Sequence, residues 1–267
     1  MLGAIAGDVI GSVYERHNLK STEFELFGRF SRFTDDTVLT VATADALMSD
    51  GDFAAAYRKW YARYPRNGYG GRFRRWAARP DAGPYYSFGN GSAMRVSPVA
   101  WFVDGFKAVQ NTARASALVT HDHPDGVAGA QALAGAVYLA RRARDKEEIR
   151  TILNRTFEYD FTRTVEAIRP SYRFDVSCRG SVPEAIIAFL DSIDFEDAIR
   201  KAVSLGGDSD TIACMAGAVA EAYYGGVPRH IEIEVLARLP DDMRSVTESF
   251  RKVVAAATAP RQEPAMR

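Results

Sequence analysis

Residues 205–226 read LGGDSDTIACMAGAVAEAYYGG, and this stretch is the clearest indication of the fold class of the chain. After Thr211 nearly every residue is small or apolar, and the apolar residues recur at the three- and four-residue spacing of an α-helix. Gly inside a helix costs about 1 kcal/mol relative to Ala, so Gly is expected there only where neighbouring helices approach closely. We therefore predict a central, buried helix that carries two carboxylates, Asp208 and Asp210, at its start.

The same helical spacing recurs along most of the chain, and strand-like alternation is nearly absent. Helix-start signals include Asp52, Asp194 and Pro183, of which Pro183 is expected in a first turn. The Gly-rich stretches RNGYGGRF, SFGNGSAMRV and SCRGSVPEA are interpreted as linkers. The fold class predicted is all-α, with one compact helical domain over residues 1–257 and a disordered tail at residues 258–267.

Composition narrows the class of protein. The 267 residues contain 34 basic and 34 acidic side chains, so the net charge of zero gives no reason to expect stable nucleic-acid or membrane-surface binding. With only Cys178 and Cys214, the chain has neither a disulfide framework nor a cysteine-based zinc site. No signal peptide and no membrane-spanning run is recognised. We predict a cytoplasmic, monomeric enzyme.

A second segment has the same arrangement of residue types as the first. FTDDTVLTVATADALM, which begins at Phe33, places a Thr and two Asp at the start of another small-residue helix. Good helix caps would explain either segment alone, but one cap needs one side chain and each segment offers three. Both helices are also expected to be central, so their starts should lie close together. Oxygen-only donors suit Mg²⁺, Mn²⁺ or Ca²⁺ better than zinc or copper. The donors concerned are Thr34, Asp35, Asp36, Asp208, Asp210 and Thr211.

The repulsion between these carboxylates favours bound cations. Two like charges about 4 Å apart repel by roughly 4 kcal/mol at an effective dielectric constant near 20. A cluster of four contains several such pairs, and their sum rivals a folding free energy of about 5–15 kcal/mol. Helix dipoles return only about 0.3–1 kcal/mol each. Four clustered carboxylates must therefore be protonated or hold cations, and they suffice for two divalent ions.

Together, FTDDTVLT and GGDSDTIACMAGAVAEAYYG closely resemble the ADP-ribosylglycohydrolases. The resemblance covers most of the chain and implies a compact all-α bundle with a binuclear magnesium or manganese centre. By this resemblance, the six oxygen donors named above are the metal ligands. GDVIGSVYE resembles the family's N-terminal segment, so Glu15 is expected on a mobile loop over the metals. Glu15 and Asp36 are the candidates for proton transfer.

Three further segments resemble the parts of the family that bind the substrate. NGYGG resembles the loop whose backbone approaches the substrate diphosphate, and FGNGSAMRVSP resembles the segment that lines the ribose and phosphate. The histidine of VTHDHPDG matches one that the family places near the phosphates. The resulting substrate-binding candidates are Gly68, Tyr69, Gly70, Asn90, Gly91, Ser92 and His121. Without the resemblance, the NGYGG loop would be interpreted as a turn.

The predicted function is hydrolysis of the glycosidic bond between ADP-ribose and an acceptor, which can be a protein side chain, a nucleic-acid end or a small molecule. One alternative is an HD-type phosphohydrolase, with His121 and Asp122 as its signature. That class needs further histidine ligands, and the three remaining histidines form no suitable motif. Another alternative is a non-enzymatic, lens-crystallin-type relative that has lost ligands. The acceptor stays open, as does the residue that stacks on adenine: Tyr86, Tyr172 or Phe174.

Overall fold

A computed structural model describes residues 1–142 and 145–258. Within these ranges the chain is helical and forms no β-strand; one isolated bridge pairs Gly89 with Ser177. The all-α prediction is thus confirmed. None of the helices in the described ranges combines the length and the apolar character that crossing a membrane requires.

Fourteen α-helices lie in the described part of the chain, together with a short 3-10 helix at Asn90–Ser92. In chain order they are α1 Leu2–Gly11, α2 Asp35–Met48, α3 Phe53–Arg63, α4 Gly71–Ala77, α5 Ser97–Phe102, α6 Phe106–Leu118, α7 Pro124–Ala140, α8 Lys146–Thr156, α9 Val165–Ile168, α10 Cys178–Leu190, α11 Phe195–Ser204, α12 Ser209–Tyr224, α13 Arg229–Ala237 and α14 Asp241–Thr258.

Helices α1 and α12 form the centre of the bundle. All ten residues of α1 are buried, as are the first fourteen of α12. The two backbones touch along a row of glycines on α1: a Cβ added to Gly7 would lie 2.6 Å from the amide nitrogen of Cys214, and one on Gly11 would lie 2.5 Å from the Cα of Asp210. These distances are too short for any side chain, which explains the small residues in both segments.

The other helices enclose this pair and place the second motif beside it. Helices α7, α10 and α11 pack against α12, whereas α2 lies between α1 and the outer helices α3, α5 and α14. Asp52 and Asp194 cap α3 and α11 with their side chains, as predicted. Because α1 contacts both α2 and α12, the starts of the last two helices come together.

The structure corrects one predicted helix start. SCRGSVPEA is not a linker: it forms the first turns of α10, which begins at Cys178 and is capped by the hydroxyl of Ser177. Pro183 therefore lies inside the helix rather than in its first turn. Ser177 is the better start signal because its hydroxyl accepts a hydrogen bond from a free backbone N–H, namely that of Gly180, at 3.0 Å. The tail predicted at residues 258–267 lies outside the described residues, apart from Thr258 at the end of α14.

Candidate metal centre and active site

The N-termini of α2 and α12 meet in space, as the sequence predicts. The hydroxyl of Thr211 lies 3.3 Å from Oδ2 of Asp36, and that of Thr34 lies at the same distance from the same oxygen. All of these side chains, with Asp208 and Asp210, are more than nine-tenths buried. Two helix starts that are 175 residues apart in the chain thus share one site.

The carboxylates form two overlapping clusters. In each, the nearest oxygens of three side chains lie within 4.8 Å of one another. One cluster joins Asp8, Asp36 and Asp210, and the other joins Glu15, Asp208 and Asp210. Asp210 belongs to both, so the clusters are adjacent. The donors are oxygen atoms throughout, which suits a hard divalent cation.

Capping does not account for the carboxylates of Asp208 and Asp36. Asp208 occupies the N-cap position of α12, yet its side chain makes no capping hydrogen bond and instead accepts one from Nδ2 of Asn90 at 2.7 Å. Oδ1 of Asp36 is buried and has no hydrogen-bond partner. A buried carboxylate oxygen without a donor is costly unless something else neutralises it. Both observations fit a cation site better than a capping role.

Asp8 has a different place in the same site, one that sequence reasoning missed. Its fully buried carboxylate accepts hydrogen bonds from the backbone N–H and the hydroxyl of Thr34, at 2.9 and 2.7 Å, and from the same two groups of Thr37. Four donors satisfy it without a cation. Asp8 therefore anchors the first turn of α2 and holds Asp36 in position. A single charge within the otherwise apolar α1 was the available signal.

Burial and mutual repulsion raise the pKa values of the cluster. The pKa values of Asp36 and Asp210 lie well above the ordinary value, first because of burial and then because of neighbouring carboxylates. Burial raises the pKa of Asp208 to about 6, although the amide of Asn90 opposes the shift. Asp35 is shifted upward for the same two reasons. These carboxylates therefore keep their protons to a higher pH than exposed carboxylates do.

A cavity of about 610 Å³ opens onto the clusters and brings most of the predicted substrate-binding residues together. Gly68, Gly70, Asn90, Gly91 and His121 all line it. Gly68 has a φ of +102°, and a Cβ at this position would lie 2.8 Å from Oδ1 of Asp35. Only glycine lets this loop pass so close to the carboxylate.

The side chains of Tyr69 and Ser92 lie behind the cavity wall. Tyr69 is buried and stacks on Phe73 with ring centroids 5.3 Å apart. The hydroxyl of Ser92 donates to the carbonyl of Gly126 at 2.6 Å. The structure therefore places these two candidates where they support the wall rather than form it. Asp35 lines the cavity but belongs to neither three-carboxylate cluster.

His121 is held by a chain of buried polar groups. Nη2 of Arg95 donates to the hydroxyl of Thr120 at 2.7 Å, and that hydroxyl lies 2.7 Å from Nδ1 of His121. Burial, and then the charges of Arg95 and Arg72, lower the pKa of His121 well below its ordinary value. The imidazole is therefore neutral near pH 7. Its Nε2 edge faces Gly91, where a Cβ would lie 3.5 Å away.

The sequence model of the ADP-ribosylglycohydrolase family matches residues 1–263. The chain belongs to the ADP-ribosylglycohydrolase family. Since the match spans nearly the whole sequence, the protein is a hydrolase of this class.

Curated relatives and solved structures agree with this assignment. The chain is 28% identical to ADP-ribosylhydrolase ARH3 of Mus musculus, over 94% of this chain and 87% of the relative. It is 29% identical to ADP-ribosylarginine hydrolase Tri1 of Pseudomonas putida (strain GB-1), over 85% of this chain and 71% of the relative. A solved structure described as an ADP-ribosylglycohydrolase-related protein complex superposes with a TM-score of 0.74 at 26% identity, covering 95% of each chain.

The HD-type alternative finds no support in this member of the family. His121 and Asp122 diverge: the ring of His121 contacts Thr120, whereas Oδ1 of Asp122 accepts the N–H of Tyr86 at 2.6 Å. Neither candidate cluster in the described residues contains a histidine. The structure thus separates the two residues that an HD-type centre would need side by side.

The raised pKa values predict how the metal-free enzyme responds to pH. A carboxylate whose pKa is higher in the folded than in the unfolded protein stabilises the fold while it is protonated. This stabilisation is lost as the pH rises from about 4, the pKa of the unfolded state, through the pKa of the folded state, which is about 6 for Asp208. We expect the metal-free enzyme to melt several degrees lower at pH 8 than at pH 5.5, at roughly 2–4 °C per kcal/mol. Differential scanning calorimetry in EDTA measures this.

The same linkage predicts that cations and protons compete. Added Mg²⁺ or Mn²⁺ should raise the melting temperature more at pH 8 than at pH 5.5, since an ion that binds only the folded state stabilises by about 2.7 kcal/mol at 100 times its Kd. Equal metal-induced increases in melting temperature at both pH values would contradict competition between cations and protons. Added Na⁺ or K⁺ at matched ionic strength is the control for general screening.

Proposed function

We propose that the protein is a two-metal hydrolase that releases ADP-ribose from an acceptor by cleaving the bond at the anomeric carbon of the distal ribose. The observation that carries the proposal is the pair of carboxylate clusters that share Asp210 on the wall of a cavity large enough for a ligand of this size. The relatives named ADP-ribosylhydrolase and ADP-ribosylarginine hydrolase support the substrate class.

The donor set fits two divalent cations, Mg²⁺ or Mn²⁺. Their proposed ligands are the six oxygen-bearing side chains at the two helix starts. Oδ1 of Asp36 is the strongest single indication, because it is buried without a hydrogen-bond partner and a cation would neutralise it. When bound, the cations would orient the ribose hydroxyls and supply Lewis-acid assistance to bond cleavage. The proposed ligands are Thr34, Asp35, Asp36, Asp208, Asp210 and Thr211.

The protein's own side chains supply the rest of the chemistry. Cleavage of a glycosidic bond passes through an oxocarbenium-like state, whose positive charge the surrounding carboxylates stabilise. Glu15 lines the cavity beside Asp208 and Asp210 and is only partly buried. We assign Glu15 and Asp36 to proton transfer, with Glu15 serving the acceptor side because its position after α1 leaves it room to move.

The other end of the substrate would lie along the remaining walls. The backbone at Gly68 and Gly70 offers a close approach to the diphosphate, with the neutral Nε2 edge of His121 nearby as a hydrogen-bonding group. The side-chain amide of Asn90 donates to Asp208, so Asn90 would hold that carboxylate in position at the cavity wall. Phe88 and Phe174 line the same cavity, are about half exposed, and could each stack on the adenine.

A panel of defined substrates tests this proposal. Purified enzyme is incubated with ADP-ribose linked to arginine, to serine, to a phosphorylated nucleic-acid end and to a small acyl group, with Mg²⁺ or Mn²⁺ and with neither. Release of free ADP-ribose is followed by chromatography. We expect at least one linkage to be cleaved in a metal-dependent manner. Failure on all four linkages, while the protein is folded and binds metal, would refute the proposal.

Replacing Glu15 by Gln should lower turnover by a factor of about 10², a typical contribution of general acid–base catalysis. Gln keeps the volume and loses the charge and the proton, so the affinity for ADP-ribose should persist. Single-turnover hydrolysis and calorimetric titration with ADP-ribose separate the two effects. Glu23→Gln, in the same loop region but with an exposed carboxylate, is the matched control. An unchanged rate in Glu15→Gln would remove it from catalysis.

A further inference from the structure

Two arginines stand at the edge of the cavity on the side of Glu15. Arg16 follows Glu15 directly, and Arg32 lies on the loop that leads into α2; both line the cavity and both are exposed. The two loops are joined because the N–H of Arg32 donates to the hydroxyl of Ser12 at 3.2 Å. We call Arg16 and Arg32 the arginine rim.

Neither guanidinium of the arginine rim has a carboxylate partner among the residues that the structure describes. Some other arginines of the chain do: Arg63 pairs with Asp242 at 3.1 Å, and Arg200 pairs with Glu196 at 2.8 Å. Arginine presents planar, paired donors that match a carboxylate or phosphate. Two unpaired guanidinium groups beside a cavity are therefore available to an anionic ligand.

We propose that the arginine rim selects acceptors in which the ADP-ribosylated residue is flanked by acidic side chains of a protein. This inference rests on the proposed function, which places Glu15 on the acceptor side of the scissile bond. Because the arginine rim lies beside Glu15, it is expected to contact the acceptor rather than ADP-ribose. A cationic flank would meet repulsion at the same place. Such complementarity acts on partner choice more than on the chemical step.

The surroundings of the rim favour a peptide over a nucleic acid. Proteins that hold single-stranded nucleic acid combine basic side chains with aromatic platforms for the bases. From Glu15 to Asp36 the residues that line the cavity include no aromatic ring: they are Glu15, Arg16, Arg32, Thr34, Asp35 and Asp36. The exposed Phe30 of this segment does not line the cavity, and its ring packs against the guanidinium of Arg29. The aromatic residues Phe88 and Phe174 lie on other segments of the wall, and the chain as a whole has no net positive charge.

Three peptides test the proposal, each carrying the ADP-ribose linkage that the substrate panel identifies as cleaved. They differ only in the flanking residues, which are acidic, neutral amide or basic. We expect kcat/KM to fall in that order, with the difference residing in KM. The double variant Arg16→Gln/Arg32→Gln should lose about fivefold or more of the preference for acidic over neutral flanks, as expected for two exposed ion pairs. Raising the salt concentration should reduce the same preference.

A charge-matched control keeps the test specific. Arg114→Gln/Arg155→Gln removes two exposed arginines that lie outside the cavity, and it should leave the preference unchanged. A parent enzyme that cleaves all three peptides equally would overturn the inference while leaving the proposed function intact. An equal loss on every peptide, or weaker binding of free ADP-ribose, would assign the rim to ADP-ribose instead. A stronger preference for an ADP-ribosylated oligonucleotide than for the acidic peptide would also overturn it.

Discussion

Replacing Asp36 by Asn should lower hydrolysis by about 10³ or more. The substitution removes a proposed metal ligand and a candidate for proton transfer at once, and even residues that only support a ligand cost 10–100-fold in metal affinity or activity when they are changed. Asp36 has a buried oxygen without a hydrogen-bond donor, so a bound cation is its expected partner. Prolonged treatment with EDTA should likewise abolish hydrolysis in the parent, and Mg²⁺ or Mn²⁺ should restore it.

The stability of the same variant distinguishes a lost metal site from a damaged fold. Without metal, Asp36→Asn should melt at or above the temperature of the metal-free parent, because one member of a repelling cluster is neutral. Most of the metal-induced increase in melting temperature should disappear. Asp81→Asn, an exposed carboxylate outside the cavity, serves as the control. If added metal raises the melting temperature of Asp36→Asn as much as that of the parent, the cations bind elsewhere. Full activity of the parent enzyme in EDTA would refute metal dependence.

Replacing Gly7 by Ala should destabilise the fold by about 3 kcal/mol or more. The added Cβ would press on the carbonyl of Ala213 and come within 2.6 Å of the amide nitrogen of Cys214, and both belong to backbone that cannot rotate away. Overpacking a core costs about 1–3 kcal/mol when side chains can adjust, and more when they cannot. At roughly 2–4 °C per kcal/mol, the melting temperature should fall by about 6–12 °C.

The response to metal should change together with stability in this variant. Pushing α1 away from α12 moves Asp8, which anchors the start of α2, relative to Asp210 at the start of α12. We therefore expect a smaller metal-induced shift in Gly7→Ala than in the parent. Gly28→Ala is the control, since a Cβ there meets nothing within 4 Å. If Gly7→Ala melts like the parent, the two backbones are not in contact as described.

The fold class and the identity of the central motif follow from the order of the amino acids alone. Helical spacing and the Gly- and Ala-rich stretch after Thr211 suffice for an all-α bundle, because they report a local period and a local size limit. The oxygen-only character of the six donors is likewise a property of composition. That the two motifs meet also followed from the sequence, since both helices carried the marks of a crowded core.

Which of these side chains act together depends on how the helices pack in three dimensions. Asp8 of α1 lies at the start of α2 and accepts four hydrogen bonds there, whereas the local sequence shows only that one charge interrupts an apolar helix. Packing likewise places the side chains of Tyr69 and Ser92 behind the cavity wall, and Arg16 and Arg32 at the edge of the cavity. Spacing along a chain specifies the face on which a residue lies, whereas the partner that the face meets depends on how distant helices pack.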